Sequence, residues 1–241
     1  MLLRGLSYSE AGIMRPFSLG DTLDTQEGFT TLTTVGAGTI LAAAIAGGSL
    51  QRTGPVGGFT DTFDTAQNIV AALSGNIAVA SPTGQLFNPS FQTVTFGILY
   101  QQPGTPQPGA SFRWLYLNQV AQAMTAAAAA NSGVTLGANV NVAASLVREY
   151  LFQIKNGTPQ SLVNGTLTNT SATVTGMTLA QTNLITPGQS VYGTGVQAAT
   201  TVLSVQPGVG ITLSLAATAT GVSALTITPS ITITGLRSST A

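Results

Sequence analysis

The chain has no cysteine and no histidine. The first absence excludes a disulfide framework and any thiolate metal centre. The second removes the commonest zinc ligand and the most frequent general base. Charge is scarce as well: charged residues make up 6 % of the chain, against about a quarter in an ordinary soluble domain. The seven Lys and Arg residues stand singly, so there is no basic tract for nucleic acid. The apolar runs around Ile40–Ala46 and Ala126–Ala130 are too short to cross a bilayer as helices. Met1-Leu2-Leu3-Arg4 runs into polar Ser7–Glu10 without the apolar core of a secretory signal. The expectation is a product assembled inside a cell, with no cofactor, no metal, no nucleic acid and no membrane.

What is present is β-structure. From Asn156 to Leu236 there is no charged side chain, and apolar residues alternate with hydroxyls: Thr173-Val174-Thr175, Ile211-Thr212-Leu213-Ser214, Leu225-Thr226-Ile227-Thr228 and Ile231-Thr232-Ile233-Thr234. Period-2 alternation broken by Gly and Pro-Gly reads as strands and tight turns. In Thr186-Pro187-Gly188-Gln189 and Gln206-Pro207-Gly208-Val209, Pro and Gly hold the two central positions that a type II turn requires. A zero net charge removes the repulsion that keeps copies apart, so the chain reads as a subunit of an oligomer or a larger particle.

The chain divides into an arm at 1–28, a domain at 29–158 and a small charge-free β-domain at 159–241. The arm holds Arg4, Glu10, Arg15, Asp21, Asp24 and Glu27 without a clear period. It is either a frayed end or a strap lying on a neighbouring subunit. In the domain that follows, Thr30–Val35, Ser49–Thr53, Phe91–Tyr100, Ser111–Leu117 and Leu146–Ile154 read as strands, and Gln101–Gly109 as an exposed loop. Thr39 is placed to cap a short helix over Ile40–Ile45, and Ala66–Leu73 is a two-turn helix with Ile69, Val70 and Leu73 on one face. Ala121–Asn131 has the alanine content of a helix, but its neighbours argue for a strand. Thr158-Pro159-Gln160 reads as a hinge into the last domain. The fold class is all-β: a β-sandwich or jelly-roll-like domain with one or two short helices, then a small Gly/Thr-rich β-domain.

Candidate chemistry is thin. Asp61 and Asp64 could offer oxygens to Ca²⁺, but two carboxylates make a poor cage. The simpler reading has Asp64 or Thr65 capping the Ala66–Leu73 helix. A two-carboxylate hydrolase would draw on Glu149, Asp61 and Asp64, which nothing in the sequence brings together. Lys155 is the sole lysine, and no Ser-x-x-Lys arrangement accompanies it. Gly36-Ala37-Gly38-Thr39 lacks the third glycine of a phosphate-binding turn. No catalytic residue is assigned. Arg113 and Arg148-Glu149 interrupt apolar strands, either as a cross-strand ion pair or at a subunit contact. Trp114, Tyr116, Tyr150 and Phe152 read as core rather than as a sugar platform.

Two groups of segments resemble virion structural proteins of tailed phages. Gly48–Leu73, with Ser111–Asn118, Gly133–Gly137 and Arg148–Phe152, is similar to a β-domain of phage particles, and Ile185–Gly221 to Gly/Thr-rich modules of phage fibre and capsid-surface proteins. The resemblance implies a trimeric, non-enzymatic β-protein on the particle exterior, and a strand rather than a helix over Ala121–Ala130. The expected function is a decoration protein clamping the major capsid protein lattice, with Arg4 and Arg15 as capsid contacts and Arg113, Arg148 and Glu149 as subunit contacts. The alternative is a tail or fibre component binding host glycans.

Overall fold

The computed structural model describes residues 7–10, 13–16, 30–79 and 108–240. Among the described residues strands far outnumber helices, so the fold is mainly β. Strands β1 (Ser7–Glu10) and β2 (Ile13–Pro16) pair antiparallel with each other. The expected strand at Phe91–Tyr100 and most of the loop after it lie outside the described residues.

From Thr30 the chain winds in three rungs. The first holds β3 (Thr30–Leu32), β4 (Gly38–Ile40) and helix α1 (Ala42–Ala46). The second holds β5 (Ser49–Arg52), β6 (Phe59–Phe63) and α2 (Ala66–Val79), and the third β7 (Ser111–Asn118) and β8 (Met124–Ala128). Successive rungs stack in register, β3 beside β5 beside β7 in one sheet and β4 beside β6 beside β8 in another, and every one of these pairs is parallel. A parallel pair needs a long crossover rather than a hairpin: β4 and α1 lie between β3 and β5, and the described part of the connection from β5 to β7 holds β6 and α2. The rungs do not show the antiparallel pairs from which a jelly roll is built, and alternation along a strand says nothing about its neighbour's direction. The short helix also begins later than expected, at Ala42, with Thr39 inside β4. Met124–Ala128 is a strand because its inward residues, Met124 and Ala126, fill the core between the sheets.

The larger sheet continues beyond the rungs. β10 (Leu146–Asn156) pairs antiparallel with β7 and with β17 (Ser230–Thr240), and β9 (Val134–Leu136) lies parallel along the far side of β17. Phe63, Trp114, Tyr150 and Phe152 meet beneath this sheet with ring centroids 5.7–6.1 Å apart, mostly edge to face. Each buried ring contributes about 1.5–3 kcal/mol through the area it removes from water. The Trp114 indole N–H donates to the Ala44 carbonyl at 3.0 Å, which ties β7 to α1.

The charge-free module is inserted between β10 and β17. It comprises β11 (Ser161–Leu167), β12 (Thr173–Val174), α3 (Leu179–Thr182), β13 (Ser190–Tyr192), β14 (Val202–Gln206), β15 (Gly210–Leu213) and β16 (Gly221–Thr228). Two antiparallel three-stranded sheets, β11-β16-β13 and β12-β15-β14, enclose a second core that includes Val163, Val174, Ile211, Leu213, Leu225 and Ile227. Both Pro-Gly turns form as expected. Gly188 and Gly208 have φ of 92° and 71°, and Gln189 and Val209 donate back to the Thr186 and Gln206 carbonyls.

Two expectations about this module need correction. Ser230–Thr240 does not belong to it: Ile231 and Ile233 complete the first core, and β17 sits between β10 and β9. The hinge at Thr158-Pro159-Gln160 is a clamped joint. Buried Asn156 donates to Thr186 Oγ1 and to the Pro187 carbonyl, Gln189 donates to the carbonyls of Thr158 and Pro159, and Ser230 donates to the Gly188 carbonyl. Each bond engages a backbone carbonyl or hydroxyl that burial would otherwise leave unpaired, a cost of about 1–3 kcal/mol.

Candidate interaction surface

The most polar feature of the interior is structural. Arg52 and Asp61 point inward from β5 and β6, both fully buried, and the Arg52 Nε donates to Asp61 Oδ2 at 3.0 Å. The Tyr116 hydroxyl donates to the same oxygen at 2.7 Å. The Arg52 guanidinium also donates to the carbonyls of Leu32, Thr34, Gly36 and Thr53 and lies 4.9 Å from the Phe59 ring centroid. One cluster therefore stitches together the first rung's turn, the second rung's ion pair and the third rung's tyrosine. Gly38 is required beside it, since a Cβ there would sit 2.8 Å from Asp61 Oδ1 and 2.7 Å from Leu32 Cδ2. Burial, with the Asp61 hydrogen bond second, pushes the Tyr116 hydroxyl above its ordinary range, so it stays protonated as a donor. Asp61 Oδ1 is buried with no hydrogen-bond partner. The cluster is sealed from solvent and offers a substrate no approach.

Asp64 stands apart from Asp61 and serves two helices. Its Oδ2 accepts the Ala42 N–H at the start of α1, and its Oδ1 accepts from the Thr65 N–H and Asn68 Nδ2. Thr65 Oγ1 accepts the Asn68 N–H in the first turn of α2. Among the described residues no three acidic side chains gather where they could hold a metal ion, and no helix is long and apolar enough to cross a membrane.

Arg113, Glu149, Lys155 and Arg237 lie on the outer face of β7, β10 and β17. Glu149 bridges two arginines, with Oε1 accepting from Arg113 at 2.9 Å and Oε2 from Arg237 at 2.6 Å. Arg237 reaches Glu149 because the β10–β17 ladder bulges there: Arg148 pairs with Ser238 and Tyr150 with Gly235, so two residues of β17 oppose one of β10. The Arg237 hydrogen bond, followed by that of Arg113, holds the Glu149 carboxyl below the usual carboxylate range. Glu149 is largely covered, whereas the Arg113 and Arg237 side chains are 63 % and 77 % exposed. Exposed Leu115 and Leu236 accompany the arginines, and no layer of described residues packs over the strands here. Arg148 takes no part in the bridge. Its Nη2 donates to the Asn141 carbonyl at 3.1 Å, and its Nε is buried without a partner.

The cross-strand pair considered from sequence thus exists as Arg113–Glu149, with Arg237 as the member that sequence reasoning missed. Its only prior signal was its position as the first charge after the charge-free stretch. Arg4 lies outside the described residues, and Arg15 is described only as part of β2.

The module presents a different surface. Leu162 and Val222, 74 % and 77 % exposed, stand on the outer face of the β11–β16 pair. A cleft of about 470 Å³ opens between the module and the Asn131 turn, lined by Asn131, Tyr192, Thr194 and Gln197 among others. The Tyr192 hydroxyl accepts the Gly133 N–H at 3.0 Å, which fixes the ring across the joint. No family model, curated protein or solved structure matches the chain.

Proposed function

We propose that the chain is a non-enzymatic structural subunit of a tailed-phage virion: a trimeric decoration protein that binds the outside of the major capsid protein lattice and stabilises the head. One observation carries this reading. An entire folded module has no ionic side chain yet exposes leucines and valines, a surface suited to contact with other subunits. The leucine- and arginine-bearing face of β7, β10 and β17 has the composition of an interface centre, where Arg is enriched and most other charges are depleted. The resemblance of Gly48–Leu73 and Ile185–Gly221 to virion proteins supplies the particle. Arg4 and Arg15 are the capsid contacts in this reading, on a head assembled in the host cytoplasm. A jelly-roll topology is not needed, because the stacked rungs and the inserted module each offer a β-surface to bury.

The mechanism is associative: apolar burial at about 25 cal/mol per Å² clamps neighbouring capsid subunits together. The test adds purified chain to heads stripped of surface proteins. Binding in hundreds of copies with restored heat resistance is expected. Failure to bind heads, together with absence from purified virus, would reject the proposal. The cleft beside Tyr192 favours a second reading, in which an uncharged site with one aromatic ring and two amide side chains holds a host glycan. A glycan array separates the two readings, since the decoration role predicts no glycan signal.

A further inference from the structure

The chain's charges are partitioned. Before Thr30 there are two arginines against four acids: Arg4 and Arg15, with Glu10, Asp21, Asp24 and Glu27. After it there are five cations and three acids. Of these, Arg52 and Asp61 neutralise each other in the core, and Asp64 is engaged by the helix starts. Of the body's remaining cations, Arg113, Lys155 and Arg237 lie on the outer face of the neighbouring strands β7, β10 and β17 with Glu149 as their single acidic companion, while Arg148 turns to the opposite face of β10.

We propose that the outer face of β7, β10 and β17 is the docking site for the acidic segment Asp21–Glu27 of a second copy of this chain. Charge complementarity supplies the first argument: a face with surplus arginine meets a segment whose acids recur every third residue at Asp21, Asp24 and Glu27. Hydrogen-bonding capacity supplies the second. Glu149 takes one N–H from Arg113 Nη1 and one from Arg237 Nε. A guanidinium carries five donors, so most of the fork on each exposed arginine remains open for a bidentate carboxylate. The third argument is apolar. Leu23 stands between the acids, with Phe17, Leu19 and Phe29 flanking them, and Leu115 and Leu236 lie exposed beside the arginines. Among the described residues no layer packs over this face, and the self-association read from the chain's zero net charge places the occupant on another copy. Repeated head to tail, the contact closes a ring such as a trimer. The inference rests on the self-association part of the reading above and not on the identity of the particle.

The absence of cysteine makes the test clean. Full-length Thr25→Cys and Ser239→Cys variants, which leave every charge in place, are mixed and treated with a short bis-maleimide. The expected product is a covalent dimer of one Thr25→Cys chain with one Ser239→Cys chain. Its yield should fall about tenfold with Arg113→Glu and Arg237→Glu in the Ser239→Cys partner, and recover when Asp21, Asp24 and Glu27 become Lys in the other. A chain carrying both cysteines that cross-links only within itself at high dilution, with no dimer from the mixture, would overturn exchange between copies. A dimer indifferent to the charge reversals, or no cross-link in either format, would overturn the docking site. Head binding without the cross-link would reject this inference and leave the virion reading standing. The cross-link without head binding would do the reverse.

Discussion

The rungs and the inserted module draw on the same Thr-, Ala- and Val-rich alphabet but secure their cores differently. In the rungs, strands from successive turns lie parallel, and the inward positions include a buried ion pair, Arg52–Asp61, which Tyr116 completes. The module has antiparallel strands, Pro-Gly turns and an interior with no charge. The difference follows from connection length. The corner between β3 and β4 turns carbonyls inward, and the Arg52 guanidinium collects those of Leu32, Thr34 and Gly36. Tight turns such as Gln206–Val209 bond their own backbone and need no such collector. A buried ion pair therefore replaces local turn bonds where the chain must travel far between neighbouring strands.

The sharpest way to break this contrast is to strand one ion. Asp61→Ala leaves the Arg52 guanidinium buried without its carboxylate and should cost about 3–5 kcal/mol in a denaturant melt. A change below about 1 kcal/mol would mean that the carbonyls alone hold the arginine. Tyr116→Phe removes one hydrogen bond to a charged acceptor and should cost about 1.5–3 kcal/mol. Next comes an excision. Asn156 and Ser230 are register partners, so replacing residues 157–229 with Asn-Gly turns β10 and β17 into a simple hairpin. The shortened chain should still melt cooperatively, and a molten product would show that the rungs depend on the module. Alkali should act on the first core as well. Burial raises the hydroxyl ionisation of Tyr116 and Tyr150, so the stability they contribute is complete below the ordinary tyrosine value and declines as pH rises past it. Alkaline unfolding should begin above about pH 10, and Tyr116→Phe should weaken that dependence. The smallest effect belongs to Glu149→Gln. It loosens an exposed bridge, so the melting midpoint should hardly move while the pH dependence near the carboxylate range is altered.

Much of the local structure was legible in the sequence. Ser111–Asn118 and Leu146–Asn156 announce their strands by alternation, and the Pro-Gly pairs announce their turns by the positive φ that Gly188 and Gly208 adopt. What stayed hidden depends on which strands become neighbours. Arg52 and Asp61 are close in sequence, yet they meet because β5 and β6 face each other across a rung. The Ile231-Thr232-Ile233-Thr234 pattern matches the module's strands so closely that its return to the first sheet leaves no sequence trace. Of the interaction surface, Arg113 and Glu149 were visible as charges interrupting apolar strands, but Arg237 required the bulge opposite Glu149.

Light scattering of the purified chain over a rising concentration series tests the central claim most directly, namely that a surface this poor in ions is built to face other subunits. The account predicts a defined assembly, a trimer of the 24.3 kDa chain. A mass that stays at one chain up to the highest attainable concentration would contradict it.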